Sequence, residues 1–375
     1  MAVFGALANR WVAGLGVYEP GRPVEEVARE LGFGSAADIL KLASNENSLG
    51  PSPRAIRAIR QAATRMHYYP DGDAFYLRHK LARTLSVDPG QILVGNGSNE
   101  IIDFLARVFL CPGTNIVMAD RAFVVYKLIA LAACAEAIMA PMRDYTHDLD
   151  AMLRAITPKT KLVFISNPNN PTGTMVSNAA LARFMDRAPG HVVVVLDEAY
   201  IELIPPQKQP PVLDYVRQGR NVVVLRTFSK TYGLAGLRIG YAVAPADCIK
   251  LMHRVRQPFN VNAMALAAAE AALDDGAFVA RTRRMVAAGL RQFENGFKDM
   301  GLRYVPSAAN FILVEVGRGR DLFQALQREG VIVRPMDGYG LPEHVRITIG
   351  TGVENRRCLK ALAKVLKQRG CATAG

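Results

Sequence analysis

The sequence predicts an α/β protein in two parts: a large domain on a mostly parallel sheet flanked by helices, and a smaller α+β domain. Three observations carry this. The chain has 375 residues, more than one hydrophobic core usually organises. Between about residues 90 and 245, short β-branched runs alternate with helical stretches. In the last third, amphipathic helices are mixed with strand-like segments. Residues 50–258 are accordingly assigned to the large domain, and 1–49 with 259–375 to an N-terminal arm and the small domain.

The large-domain strands are read at Ile92–Val94, Ile116–Met118, Leu162–Ile165, Val192–Leu196 and Val222–Leu225. Apolar runs of this length between helices are the mark of buried parallel strands. Among the helices, Pro53–Thr64 opens on proline, while Ser98–Phe109 and Ser177–Met185 each open on a serine read as the cap. In the small domain the helices are Arg318–Glu329 and Glu354–Gln368, the second with Leu359, Leu362, Ala363 and Leu366 on one face. Strand-like segments lie at Phe311–Val314, Val331–Arg334 and Val345–Ile349. Pro205–Pro211 is a proline-rich surface loop.

Composition narrows the function. Half the residues are hydrophobic and 21% are charged, the balance of a globular protein. Five scattered cysteines, with no C-x-x-C pair, predict free thiols in a reducing cytoplasm. The six histidines show no metal-ligand spacing, so no metal is expected. Met1–Ala8 lacks the basic start of a signal peptide, and Leu128–Met142 contains Glu136 and is too short to span a bilayer. The net charge of +13 is spread along the chain, which speaks for a basic surface and against a nucleic-acid site.

Four segments carry chemistry. Thr227-Phe228-Ser229-Lys230 follows a strand and leads to Arg238, bringing together a lysine that burial can activate and the donors a phosphate ester needs. Asp197-Glu198-Ala199-Tyr200 follows another strand, at the sheet edge where open α/β sheets bind ligands. There Asp197 can sit against a pyridine nitrogen and Tyr200 can donate to a phenolic oxygen. Ser166-Asn167-Pro168-Asn169-Asn170-Pro171-Thr172-Gly173 makes a rigid turn that presents an asparagine. Gly95-Asn96-Gly97-Ser98-Asn99-Glu100 joins a strand to a helix start, a place for phosphate. Each segment has a plain structural alternative: a loop lysine, an N-cap aspartate, an empty turn, an ordinary helix start. Together they describe one pocket.

With these strings in this order, from Leu42-Ala43-Ser44-Asn45-Glu46-Asn47 to Arg346-Ile347-Thr348-Ile349-Gly350-Thr351, the chain resembles the fold-type-I pyridoxal-phosphate aminotransferases, histidinol-phosphate subfamily. The resemblance implies pyridoxal 5'-phosphate as cofactor and Lys230 as its Schiff-base lysine. It further implies Asp197 at the ring nitrogen, Asn170 and Tyr200 at the ring oxygen, and Phe123 stacked on the ring. Ser98, Asn99, Ser229 and Arg238 would surround the phosphate, joining Gly97 and Thr227 from the segments above as cofactor-binding candidates, with Tyr69 reaching the phosphate of the neighbouring subunit in a homodimer. The substrate-binding candidates are Tyr18, Asn45, Arg334 and Arg346. One departure is Ser48, where the family has proline, and a looser loop is expected there.

Two arginines suit histidinol phosphate alternating with 2-oxoglutarate and glutamate, a step of histidine biosynthesis. They also suit an aromatic amino-acid aminotransferase, and a phosphothreonine decarboxylase on this scaffold would differ only in the fate of the α-carboxylate. A cofactor-sensing regulator would need a DNA-binding module ahead of Leu42.

Overall fold

The computed structural model describes residues 3–16 and 22–372; Tyr18 lies outside the described residues. Seven strands form the large sheet: β1 (Ile92–Gly95), β2 (Asn115–Ala119), β3 (Glu136–Ala140), β4 (Thr160–Ser166), β5 (Val193–Asp197), β6 (Val222–Thr227) and β7 (Gly240–Val243). Their order is β1-β7-β6-β5-β4-β2-β3. Every pairing is parallel except those of β7, which runs antiparallel to both β1 and β6. The carboxyl ends of β4, β5 and β6 therefore open on one edge, and the chemistry-bearing segments leave the sheet there. The sequence reading had no counterpart for β3 or β7.

Helices cover the sheet. α1 (Pro53–Ala63) starts as expected, with proline at its first turn and the Ser52 hydroxyl accepting from Arg54 and Ala55 N–H. α2 (Ser98–Phe109) does not: its N-cap is Gly97, with φ of 78°, and Ser98 already lies inside the helix. The first N–H groups of α2 thus donate to no capping side chain. α3 (Val125–Ala132) falls within the apolar stretch before β3. In α4 (Asn178–Arg187) the expected cap holds, Ser177 Oγ accepting from Ala180 N–H at 3.2 Å.

α5 (Ala263–Leu273) buries Ala265, Ala268, Ala269 and Ala272 in the same core as the large sheet. Small side chains let it lie close against α1. α6 (Gly276–Asp299) then crosses to the second sheet and buries Phe293 and Phe297 in that sheet's core. That sheet comprises β8 (Tyr304–Val305), β9 (Phe311–Glu315), β10 (Arg334–Pro335) and β11 (His344–Thr348) in the antiparallel order β8-β9-β11-β10. α7 (Gly319–Arg328) and α8 (Gly352–Ala372) pack on it. The expected strand Val331–Arg334 splits in two, because Val331–Ile332 pairs with Leu40–Lys41 while Arg334 pairs opposite Arg346.

The segment after Leu40 stitches the two sheets together. Beside Ser48, Asn47 Oδ1 accepts from Leu49 N–H at 3.0 Å, and its Nδ2 donates to Thr231 O and Thr282 Oγ1. Close by, Gly233 sits at φ of 70°, where a Cβ would lie 2.2 Å from Gly50 O. Gly233→Ala is expected to cost roughly 1–2 kcal/mol from the left-handed backbone alone, and more from the collision. Urea unfolding of the cofactor-free protein measures it, and wild-type stability would show that this clamp does not exist.

Candidate active site

Lys230 lies three residues beyond β6, half-buried, with Nζ 3.2 Å from Ser44 O and 6.0 Å from the centre of the Tyr200 ring. Burial pushes its ammonium down to about 8, and the charges of Arg346 and Arg238 push the same way against Glu46 and Asp197. The result is an amine neutral in a substantial fraction near physiological pH.

Asp197 closes β5, with 4% of its surface exposed. Its Oδ2 accepts from Tyr126 Oη at 2.5 Å and its Oδ1 from Ala199 N–H at 3.1 Å. Burial pushes its pKa up, while those two donors and Lys230 act in the opposite sense. Its neighbour Glu198 takes two bonds on Oε2 from Arg226, Nε at 2.9 Å and Nη2 at 2.8 Å. Since Arg226 belongs to β6, this ion pair ties the strand before Lys230 to the strand that presents Asp197.

Tyr200 is buried, and Asn45 Nδ2 donates to its hydroxyl at 3.0 Å. Burial pushes that phenol up to about 12, so it remains a proton donor at neutral pH. Asn45 is itself fixed from the second sheet: Thr348 Oγ1 accepts from its N–H at 2.9 Å, and Asn310 Nδ2 donates to its carbonyl at 2.9 Å. Arg346 of β11 reaches across, donating to Asn170 Oδ1 at 2.5 Å and to Ala43 O at 3.0 Å, with its guanidinium 5.1 Å from the Phe311 ring centre. Asn170 lies in the turn after β4, where both Asn167–Pro168 and Asn170–Pro171 are cis. Arg334 stands opposite Arg346 in the β10–β11 register.

At the start of α2, Gly97 leaves the room that a side chain would fill, since a Cβ there would lie 2.6 Å from Arg238 Nη2. Arg238 itself is exposed and donates to Ala235 O at 3.2 Å. Thr227 and Ser229 are buried beside one another, Thr227 Oγ1 donating to Ser229 Oγ at 3.0 Å. Ser98 and Asn99 occupy the first turn of α2. Phe123 packs edge-on against Tyr126, ring centres 5.6 Å apart. Tyr69 stands apart, 83% exposed and stacked on Phe259 at 4.8 Å.

A buried carboxylate, an amine of lowered basicity and a helix start opened by glycine beside an arginine fit a phosphorylated pyridine aldehyde. Sequence reading passed over Tyr126, Arg226 and Ser44. Tyr126 is three residues from Phe123, but Phe123 precedes α3, so nearness in sequence was the available signal. The partners of Arg226 and Ser44 are distant in sequence and left none.

The profile of the aminotransferase class I and II family matches residues 37–364. The chain is 51% identical over 364 residues to histidinol-phosphate aminotransferase 2 of Pseudomonas fluorescens, covering 97% of this chain and 98% of that one. It is 50% identical to histidinol-phosphate aminotransferase of Akkermansia muciniphila, covering 96% and 99%. The crystal structure of histidinol-phosphate aminotransferase from Sinorhizobium meliloti in complex with pyridoxal-5'-phosphate superposes with a TM-score of 0.86 at 28% identity, covering 96% and 97%.

The neutral amine is the nucleophile, so in cofactor-free protein the trinitrobenzenesulfonate reaction of Lys230 is expected to rise through pH about 8, below the ordinary lysine range. Peptide mapping with Lys230→Arg as the blank identifies the fast site. A Lys230 reacting only at the pH of surface lysines would contradict the burial argument.

Proposed function

The chain belongs to the aminotransferase class I and II family, and we propose that it moves the amino group of histidinol phosphate to 2-oxoglutarate in the cytoplasm. The observation that carries the substrate is identity near 50% over almost the whole chain to histidinol-phosphate aminotransferases of two distant bacteria. The cofactor is pyridoxal phosphate; when bound it supplies a conjugated ring that withdraws the electron pair of a broken C–H bond.

In this reading the unit running through α5 holds the cofactor. Lys230 Nζ anchors it and carries the proton to and from the substrate carbon that bears nitrogen. Asp197 supplies the negative charge that keeps the ring nitrogen protonated. Tyr200 and Asn170 address the ring oxygen, and Phe123 covers a ring face. Gly97, Ser98, Asn99, Thr227, Ser229 and Arg238 hold the phosphate, backbone N–H groups of α2 included. Arg346 and Arg334 hold the carboxylate of the oxo acid and the phosphate of the amine in turn, and Asn45 binds substrate while its Nδ2 holds the Tyr200 hydroxyl.

The exposed Tyr69, paired with Phe259, supports assembly as a homodimer in which this phenol serves the partner's phosphate site. Mixing Tyr69→Phe with Lys230→Ala then yields heterodimers with one doubly defective site and one intact site. Activity is expected to reappear at cofactor levels where Tyr69→Phe alone is empty; confirmed subunit exchange with no recovery would place Tyr69 in its own subunit's site.

With 2-oxoglutarate as acceptor, kcat/KM for histidinol phosphate is expected to exceed that for phenylalanine and tyrosine by about 100-fold or more, the discrimination of a site whose charged groups lack a partner in the wrong substrate. Equal or reversed efficiencies would make the enzyme an aromatic amino-acid aminotransferase.

A further inference from the structure

Tyr126 has no place in the set of residues read from the sequence, yet it is wholly buried at the site's centre. Its hydroxyl donates to Asp197 Oδ2 at 2.5 Å. Its ring lies flat on Phe164 of β4, with centres 4.4 Å apart and planes 11° apart, and meets Phe123 edge-on. One side chain therefore touches both the carboxylate and the aromatic expected over the cofactor ring.

A carboxylate this buried loses its charge unless donors hold it. Among the described residues, the donors to Asp197 are the Tyr126 hydroxyl and the Ala199 N–H. The other charged or titratable groups that act on it are Lys230, Tyr200 and Glu198, and the charge of Glu198 is held by Arg226. Of these, only Tyr126 is a neutral side chain bonded directly to the carboxylate. Its own phenol is pushed well up by burial and by the Asp197 charge, so it remains a donor throughout the working pH range.

We propose that Tyr126 is a positioning residue for the transamination reaction: its hydroxyl keeps Asp197 ionised and aimed, and its ring sets the plane of Phe123. This rests on the reading that places Asp197 at the ring nitrogen. Without the hydroxyl, the shared proton shifts from the ring nitrogen toward Asp197 itself. A protonated ring nitrogen repels a second proton on the conjugated nitrogen of Lys230. Losing the first therefore raises the pH at which the bound cofactor changes colour.

The test is Tyr126→Phe, read in the holoenzyme by the pH midpoint of the cofactor's absorption, by kcat and KM separately, and by cofactor affinity. The expected result is a midpoint moved to higher pH and a kcat lowered about 10- to 100-fold, the loss of one charge-assisted hydrogen bond. KM and cofactor affinity should change much less. Tyr126→His, whose ring retains an N–H donor, should lie between the two. A folded Phe variant with wild-type midpoint and kcat overturns the proposal, as does a His variant as impaired as Phe, since packing alone would then explain the loss. Should the Phe variant not fold, a His variant with a midpoint near wild type supports the role, and one with the midpoint fully displaced overturns it. Asp197→Asn separates this from the parent reading. If it keeps wild-type turnover, the placement of Asp197 fails; if it loses 100-fold or more while Tyr126→Phe loses nothing, only the role of Tyr126 fails.

Discussion

A negative charge held at the end of an internal strand is the constraint around which this site is built. Asp197 sits where the sheet excludes water, and burial there works against its ionised form. What surrounds it reads as an answer to that cost: a phenol and a backbone N–H bonded to its two oxygens, an amine whose charge lies within reach, and a neighbouring carboxylate kept quiet by Arg226. The same burial that strains Asp197 makes Lys230 less basic, so one dry environment prepares both groups. Removing water strengthens every interaction in the cleft and cannot be done for one group alone.

The sheet fixes the order of these parts. β4, β5 and β6 are adjacent and parallel, so the Asn170 turn, Asp197 and Lys230 leave from one edge in spatial sequence. β7 returns antiparallel from Arg238 and brings that arginine to the start of α2 after β1. The expected phosphate pocket thus arises from an inserted strand between β1 and β6, although its residues are far apart along the chain.

The central strands and the four chemistry-bearing strings were legible because buried parallel strands are short, apolar and followed by unusual residues. Two strands were not. β3 is an edge strand with half-exposed residues and a leading glutamate, and β7 reads Gly-Tyr-Ala-Val, too small and too short for periodicity to mark. Ser98 looked like a cap because serine commonly is one, but the positive φ at Gly97 moved the cap back one residue. Asn45 was legible as a candidate, whereas its bonds to Tyr200, Thr348 and Asn310 were not, since no local pattern encodes a contact between distant segments. Tyr126 was passed over for the same reason: an aromatic in an apolar helix looks like packing until its hydroxyl is seen to meet Asp197.

The stitching of the segment after Leu40 has a consequence for biogenesis. The Asn45 N–H donates to Thr348 Oγ1, 303 residues further on, and Ser44 and Ala43 carry the acceptors for Lys230 and Arg346. A ribosome adding roughly 5–20 residues per second makes that stretch wait on the order of 15–60 s for its partners. Throughout that interval the nascent chain can build the large sheet, whose strands end at Val243, but not the walls of the cleft. Competence to hold a ligand tightly is therefore acquired only once Thr348 has been made, and a chain released before then would carry the reactive lysine without the enclosure that controls it.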